Sequence, residues 1–321
     1  SIGSASMAQV HIAKLKNGEN VAVKVQRKNI YEKMTMDVKL LKKAISLLHL
    51  NTIIKIMDLN LVLDEIYNVA KEEMDFELEA KHLEEFKENN VDVAYVTVPK
   101  VYKNFVTKKA LVMEYIPGVS LNEKQKLEEL GYDVEEIGLK LANNYIKQAL
   151  DDGFFHADPH QDNIFIYEGK IVFLDLGMMG RISLRSRKLL NDAMKAIIND
   201  DIVELEHILL NFSTSTSTIN HMKLRAEIQN VLDKNANEDI QNIDIIEFTN
   251  SVTSILRSNN LKLDNNITLL MRGICVIEGT LESITPNINL TMVLSNKVKE
   301  DSFKELFSKE MLVNTGKNLV G

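Results

Sequence analysis

The sequence predicts an α+β protein with two lobes: a small β-rich N-terminal lobe with extra helices, and a large helical C-terminal lobe. Two pairs of strand-like segments within the first 116 residues predict the small lobe. Apolar residues at helical spacing dominate from Val134 onward and predict the large lobe. The Pro117-Gly118 dipeptide interrupts the chain between the two patterns. We therefore predict one lobe over residues 1–116 and the other over residues 117–321.

The small lobe begins with a predicted β-hairpin. Segments Val10–Leu15 and Glu19–Gln26 are strand-like, and the Asn17-Gly18 pair between them favours a tight turn. Helical spacing then predicts three helices, over Ile30–Leu50, Ile53–Leu63 and Asp64–Lys87. The second predicted strand pair comprises Lys100–Phe105 and Ala110–Tyr115.

The large lobe is predicted to contain one further strand pair among its helices. Segments Ile164–Tyr167 and Lys170–Leu174 flank a Glu168-Gly169 turn. Ser213–Thr218 reads S-T-S-T-S-T, a low-complexity polar stretch that predicts a mobile loop facing solvent.

The composition limits the class of function and the location. A net charge of -8, with 38 basic and 46 acidic residues and no long basic stripe, argues against nucleic-acid binding. The single cysteine, Cys275, excludes an internal disulfide framework and indicates a reducing, cytoplasmic environment. Charged residues such as Arg272 interrupt the apolar segment Ile267–Ile284, so we expect no membrane-spanning helix. The chain starts in strand-like sequence without Met or a signal peptide, which predicts a fragment of a longer protein.

The residues with the clearest chemical pattern lie between positions 155 and 177. Residues 156–163 read H-A-D-P-H-Q-D-N, and residues 175–177 read D-L-G. This order and spacing is typical of a kinase catalytic loop followed by a metal-binding D-x-G turn. Asp158 is the candidate base or acceptor-orienting carboxylate, whereas Asn163 and Asp175 are candidate Mg²⁺ ligands. His156 is expected to brace the loop.

Upstream residues fit the nucleotide half of such a site. Residues 3–10 match G-x-G-x-x-G-x-V with alanine at the second and third glycine positions, and an alanine Cβ narrows the approach of a phosphate to the backbone. Residues 21–24 read V-A-V-K, a strand whose lysine pairs with the α- and β-phosphates. The candidate nucleotide-binding residues in the two segments are Gly3, Ser4, Ala5, Ser6, Ala8, Val10, Ala22 and Lys24.

Lys24 needs an acidic partner, and one predicted helix offers several. Glu72, Asp75 and Glu79 are spaced to share one side of that helix, so the residues alone leave the choice open. Further along, residues 110–118 read A-L-V-M-E-Y-I-P-G and resemble the last small-lobe strand and hinge of protein kinases. The predicted adenine contacts there are the Met113 side chain, the Glu114 carbonyl and the Ile116 N–H.

Taken together, the motifs resemble the UbiB (AarF) family of atypical kinases over about residues 1–185. The matching stretches are S-A-S-M-A-Q-V-H (4–11), V-A-V-K-V-Q-R (21–27), E-x-D-F-x-x-E-A (73–80), G-F-F-H-A-D-P-H (153–160) and D-x-G-M (175–178). The resemblance implies a bilobal protein-kinase-like fold, binding of ATP or ADP with Mg²⁺, and ATPase or restricted kinase chemistry. It also implies a link to isoprenoid quinone biosynthesis or lipid homeostasis, with quinone-biosynthesis enzymes or isoprenoid lipids as partners.

The resemblance also assigns residues and leaves alternatives. It makes Lys24 and Glu79 an ion pair and makes Glu73 and Asp75 the acidic E-x-D pair of the family. The N-terminal K-x-G-Q helix that meets this pair in the family is absent from the sequence, so we expect a more open cleft. Because alanine replaces glycine in the loop, a pseudokinase that binds nucleotide and partner proteins or lipids without turnover is the main alternative. A small-molecule phosphotransferase is a further one, and peripheral membrane association is expected only through segments outside this sequence.

Overall fold

The computed structural model describes residues 3–4, 8–47, 63, 67, 70–71, 74–215, 217–235 and 243–297. The chain forms two compact units. The first comprises Ser1–Ser120 and Asp162–Met179, and the second comprises Leu121–Gln161 and Gly180–Gly321. The lobe boundary at residues 116 and 117 stays a prediction. The first unit takes in residues 162–179, which contain both candidate metal ligands.

The first unit contains a four-stranded antiparallel sheet. In spatial order its strands are β1 (Gly3–Ser4), β2 (Ala8–Lys14), β3 (Asn20–Gln26) and β5 (Ala110–Glu114). The predicted hairpin is confirmed as β2 and β3, and Gly18 takes a φ of 92° in its turn, a conformation that suits glycine. Because the strands pair in register, Lys24 lies opposite Val10 on one side and Leu111 on the other.

The second predicted strand pair is wrong in its first member. Residues Lys103–Phe105 form a 3-10 turn, and only Val101 makes a bridge, to Met113. Tyr102 donates its N–H to the Val112 carbonyl, after which the Phe105 N–H bonds back to the Tyr102 carbonyl. Since this local bond closes a turn, the chain leaves the edge of the sheet.

The structure describes the three helices predicted in the first unit to different extents. Helix α1 spans Ile30–Leu47, and the predicted helix over Ile53–Leu63 lies outside the described residues except at Leu63. The predicted helix over Asp64–Lys87 is interrupted, because α2 begins afresh at Phe76 and runs to Asn89. The Asp75 carboxylate caps α2 by accepting the N–H groups of Glu77 and Leu78, which satisfies donors that start a helix.

A second four-stranded sheet completes the first unit. Its spatial order is β4 (Val96–Thr97), β9 (Lys170–Phe173), β8 (Ile164–Tyr167) and β6 (Val119–Ser120). The predicted pair of β8 and β9 is confirmed, with Glu168 and Gly169 both at positive φ in the turn. The buried rings of Phe86 on α2 and Phe173 on β9 lie 5.1 Å apart, so α2 packs on this sheet.

The second unit is mostly helical. Its helices are α3 (Lys124–Glu129), α4 (Val134–Ile146), α5 (Leu184–Ile198), α6 (Ile202–Asn211), α7 (His221–Asn235), α8 (Ile245–Ser258) and α9 (Asn265–Ile284). Strand β7 (Phe154–His156) pairs with β10 (Met179–Arg181). One apolar cluster includes Leu224, Ile228, Leu232, Ile255, Leu256 and Leu261.

The polar stretch at Ser213–Thr218 corrects another prediction. Residues Ser213–Ser215 form β11, which pairs with β12 (Leu261–Leu263), although Thr214 and Ser215 are exposed as expected. The buried Leu261 holds the partner strand in the apolar cluster, so the neighbouring backbone groups are available to pair with a polar stretch. Among the described residues, no helix is both long enough and apolar enough to cross a membrane.

Candidate functional site

A largely buried cluster of three charged side chains lies within the first unit. The Lys24 ammonium group lies 2.9 and 3.0 Å from the two carboxylate oxygens of Glu79. The same nitrogen lies 2.7 Å from Oδ2 of Asp175. The side chains of Lys24 and Glu79 are 8% and 2% exposed, whereas that of Asp175 is 29% exposed. The structure therefore pairs Lys24 with Glu79, the acid that the family resemblance indicates, and adds Asp175 to the pair.

Strand β3 and helix α2 bring Lys24 and Glu79 together. Lys24 lies on β3, with its ammonium group 5.4 Å from the centre of the Phe76 ring. Glu79 lies one turn into α2, whose start is fixed by the Asp75 cap and by a hydrogen bond from the Gln26 side chain to the Met74 carbonyl. Asp75 thus has a structural role as a cap, while Glu72 and Glu73 lie outside the described residues.

Asp175 is held close to Glu79 by a contact that the sequence analysis did not include. His82, one turn further along α2, lies with Nδ1 2.8 Å from the carbonyl oxygen of Leu176, and both residues are buried. The Oδ1 atom of Asp175 accepts the N–H of Gly177 at 2.9 Å. The sequence carries only a weak indication of this role for His82, because nothing in its spacing connects it with the D-x-G turn.

The cluster holds one cation between two carboxylates. Burial alone disfavours the charged form of Lys24, but the charges of Glu79 and Asp175 outweigh burial and raise the pKa of Lys24 above its ordinary value. Burial, together with the negative charge of Asp175, raises the pKa of Glu79 to about 7 in spite of Lys24. Both pKa values are raised because the cluster holds two carboxylates and only one ammonium group.

The two candidate metal ligands lie at the same end of the β8–β9 hairpin. Asn163 directly precedes β8, and the Leu174 N–H donates to the Asn163 carbonyl at 2.9 Å, which places Asp175 next to this pair. One carboxylate and one amide oxygen suit Mg²⁺ when phosphates and water complete its coordination. Among the described residues no group of three or more His, Cys, Asp and Glu side chains could hold a metal alone.

Several of the predicted nucleotide-binding residues lie on the same sheet as Lys24. Ala22 on β3 is paired with Met113 on β5, and both are buried. Ala8 is buried on β2, and Val10 is opposite Lys24. Gly3 and Ser4 form β1, whereas Ala5 and Ser6 lie outside the described residues.

Strand β5, which leads into the predicted hinge, makes two hydrogen bonds with Lys100. The Glu114 N–H donates to the Lys100 carbonyl at 2.8 Å, and the Glu114 side chain accepts the Lys100 N–H at 3.1 Å. Ile116, two residues later, is buried. The predicted adenine contacts of the Glu114 carbonyl and the Ile116 N–H stay predictions.

The second unit holds Asp158 on a loop braced by His156. The Nδ1 atom of His156 accepts the N–H of Asp158 at 3.1 Å. The His156 N–H donates to the Gln148 side chain at 3.0 Å, and the Tyr145 hydroxyl donates to the His156 carbonyl at 3.1 Å. His156 therefore braces the loop, as expected.

Arg272 was not among the predicted site residues, yet its Nη2 atom lies 3.3 Å from Oδ2 of Asp158. The signal in the sequence was an arginine within the apolar segment Ile267–Ile284, which was considered only as an interruption of a membrane span. Only the three-dimensional structure relates it to Asp158.

Comparisons with known proteins identify the family that the chain resembles. A model of the ABC1 atypical kinase-like domain matches residues 1–209. A Clostridium pasteurianum protein named for the hydrogenase 1 5′ region is 35% identical over 301 residues, which cover 94% of this chain and 57% of that protein. The chloroplastic protein ACTIVITY OF BC1 COMPLEX KINASE 8 of Arabidopsis thaliana is 37% identical over 211 residues, covering 62% of this chain and 27% of that protein. The chain spans about half the length of the first curated relatives that it matches.

A solved structure supports the fold. The complex of Rv3197 with erythromycin from Mycobacterium tuberculosis superposes with a TM-score of 0.62 at 20% identity, covering 88% of this chain and 72% of that one. At this identity the similarity concerns the fold alone. The predicted α+β, kinase-like fold is confirmed.

Proposed function

Because the chain belongs to the ABC1 atypical kinase-like family, which the sequence motifs predicted as UbiB/AarF, we propose that it binds ATP with Mg²⁺ and transfers or hydrolyses the terminal phosphoryl group. Family membership supports a kinase-like function in general. The observation that carries the finer proposal is the contact of the buried Lys24 ammonium group with both Glu79 and Asp175. A lysine held by a helix glutamate beside the D-x-G aspartate is what phosphate positioning in kinases requires.

The proposed role of Lys24 follows from its three hydrogen bonds. An ammonium group has three N–H donors, and here two reach Glu79 and one reaches Asp175. A phosphate oxygen that binds Lys24 must therefore take the place of one acceptor. Asp175 is the more exposed of the two acids, so we propose that phosphate replaces it and frees its Oδ2 atom. Glu79 then keeps Lys24 in place.

The remaining candidate residues would have separate roles in phosphoryl transfer. Asn163 and Asp175 would hold Mg²⁺, which when bound neutralises charge on the phosphates. Asp158 would orient an acceptor hydroxyl or a water molecule. The acceptor oxygen forms a bond to the γ-phosphorus while the bond from that phosphorus to the bridging oxygen breaks, ADP leaves, and the acceptor proton passes to Asp158 or to solvent.

The acceptor and the cellular role are further proposals from the family. We propose that the whole protein supports isoprenoid quinone biosynthesis or lipid homeostasis. In a strain of the source organism that lacks the gene, isoprenoid quinone content should fall, and a gene encoding Asp175→Asn should not restore it. Restoration by that variant would instead favour a scaffold that works without turnover.

Thermal unfolding with ATP, ADP or buffer, each with and without Mg²⁺, tests nucleotide binding. Nucleotide at a hundredfold excess over its Kd should stabilise the protein by about 2.7 kcal/mol. Asp175→Asn should abolish the part that depends on Mg²⁺. Asp92→Asn changes an exposed aspartate of the same unit and serves as the matched control. No stabilisation of the wild-type protein at millimolar nucleotide would contradict the proposal.

Turnover needs a separate measurement, because a pseudokinase would also bind nucleotide. ATP hydrolysis by the wild type should exceed that of both Lys24→Met and Asp175→Asn by about a hundredfold or more, the scale for losing one group that stabilises charge in the transition state. Equal rates in all three proteins would show that the activity does not come from this site and would favour the pseudokinase.

A further inference from the structure

We infer that helix α9 sets the position of the loop that carries Asp158, and that Arg272 on this helix is the positioning residue for the Asp158 carboxylate. The inference about loop position stands on geometry within the second unit, and its consequence for turnover rests on the proposed function. The family model matches residues 1–209, so α9 lies beyond the matched region. The contacts of α9 with the loop run from Arg272 to Ser283, about three turns of the helix.

The helix approaches the loop closely because residue 273 is glycine. A Cβ added to Gly273 would lie 2.8 Å from the His156 carbonyl oxygen and closer still to the Tyr145 hydroxyl. No side chain fits in that space, so the helix backbone itself packs on the loop. Since Tyr145 also donates to the His156 carbonyl, this end of the loop is fixed from both α4 and α9.

Two hydroxyl groups fix the other end of the loop. The Thr280 hydroxyl donates to the Pro159 carbonyl at 3.0 Å, and this contact is buried. The Ser283 hydroxyl donates to the Gln161 side chain at 2.8 Å. The loop residues on both sides of Asp158 are thus bonded to, or packed on, one rigid element.

Asp158 lies between these anchored loop residues, and Arg272 contacts its carboxylate. Its Nη2 atom is 3.3 Å from Oδ2 of Asp158, and the two side chains are 48% and 31% exposed. Ion pairs this exposed contribute little to folding stability. The contact is therefore better explained by orientation: next to Gly273 the Arg272 backbone is fixed against the loop, and its guanidinium group limits the directions that the Asp158 carboxylate can take.

Hydrogen–deuterium exchange of the loop tests the positioning without requiring turnover. Deuterium uptake by the peptide that contains residues 154–161 should be faster by about threefold or more in Arg272→Gln than in the wild type, because local opening becomes easier. Arg257→Gln, an exposed arginine on α8, is the matched control and should leave uptake unchanged. Equal uptake in Arg272→Gln and the wild type would overturn the inference.

Steady-state ATP turnover then tests the consequence for catalysis. Arg272→Gln should lower kcat by roughly tenfold to a hundredfold, as expected for a misplaced catalytic group, with KM for ATP changed less than about twofold. Arg272→Lys should recover part of the loss, and millimolar guanidinium should partly restore Arg272→Ala. A purely structural role would lower the melting temperature and would show no rescue.

The two hypotheses can fail separately. If the wild type shows no turnover but Arg272→Gln speeds loop exchange, the proposed function fails and the positioning inference stands. If the wild type turns over ATP and Arg272→Gln matches it in both kcat and exchange, the inference fails and the proposed function stands.

Discussion

Replacing Glu79 with glutamine should make the stability of the protein less dependent on pH. The buried cluster holds two carboxylates and one ammonium group, and Glu79→Gln leaves the Lys24–Asp175 pair with no excess charge. The glutamine carbonyl can still accept a hydrogen bond from Lys24. The variant therefore removes the titrating group with little change of shape.

The sign and size of this pH effect on stability follow from the pKa of Glu79, which is raised from 4.5 to about 7 in the folded state. A raised folded-state pKa means that the contribution of this carboxyl group to stability is complete below pH 4.5 and is lost as pH rises through 7. At about 1.4 kcal/mol per pKa unit, the wild type should lose roughly 2 to 3 kcal/mol between pH 5 and pH 8 through this group alone. Glu79→Gln should lack that loss.

Urea unfolding at pH 5, 6, 7 and 8, without nucleotide or divalent cations, measures the effect. The quantity to compare is the drop in the free energy of unfolding from pH 5 to pH 8, because the other titrating groups contribute to both proteins. Glu88→Gln, on the exposed face of the same helix, should behave as the wild type. If Glu79→Gln and wild type lose the same free energy within about 0.5 kcal/mol, the account of the cluster is refuted.

Substitutions at three further positions test the scaffold of the site, each by urea unfolding at neutral pH. Asp75→Ala should cost about 1 kcal/mol by removing the cap of α2, and Asp75→Asn should retain most of that stability; equal losses would contradict the capping role. Gly169→Ala should cost about 1 kcal/mol because residue 169 has a φ of 74°, and an unchanged midpoint would argue against this turn. Phe86→Ala should cost about 3 to 5 kcal/mol by emptying the space against Phe173, whereas a loss below 1 kcal/mol would mean that α2 is not packed on β9.

Features whose signals are local or belong to a known motif could be predicted from the sequence. The Asn17-Gly18 and Glu168-Gly169 turns were located because each contains a glycine, which tolerates the positive φ that Gly18 and Gly169 adopt, and the strands beside them alternate or are continuously apolar. The Lys24–Glu79 pair was identified only because the family motif chose among acids that helical spacing leaves equivalent. The roles of these residues in catalysis stay predictions.

Features that depend on tertiary contacts were missed. The polar residues 213–215 form a strand because Leu261, far along the chain, brings a partner strand beside them. Arg272 faces Asp158 because Gly273 lets α9 approach the loop, and neither residue belongs to a motif that suggests the other. Helix α2 starts at Phe76 because one carboxylate caps it, although helical periodicity continues upstream.

The division of the chain between Gln161 and Asp162 places the candidate catalytic residues in two different compact units. Lys24, Glu79, Asn163 and Asp175 belong to one compact unit, and Asp158 belongs to the other, together with α9. Under the proposed function, substitutions on α9 would change how Asp158 is presented to an acceptor while every residue proposed to bind the nucleotide stays the same. With that function, such a separation would let the acceptor change independently of the nucleotide site, and it gives protein engineers a single helix on which to begin.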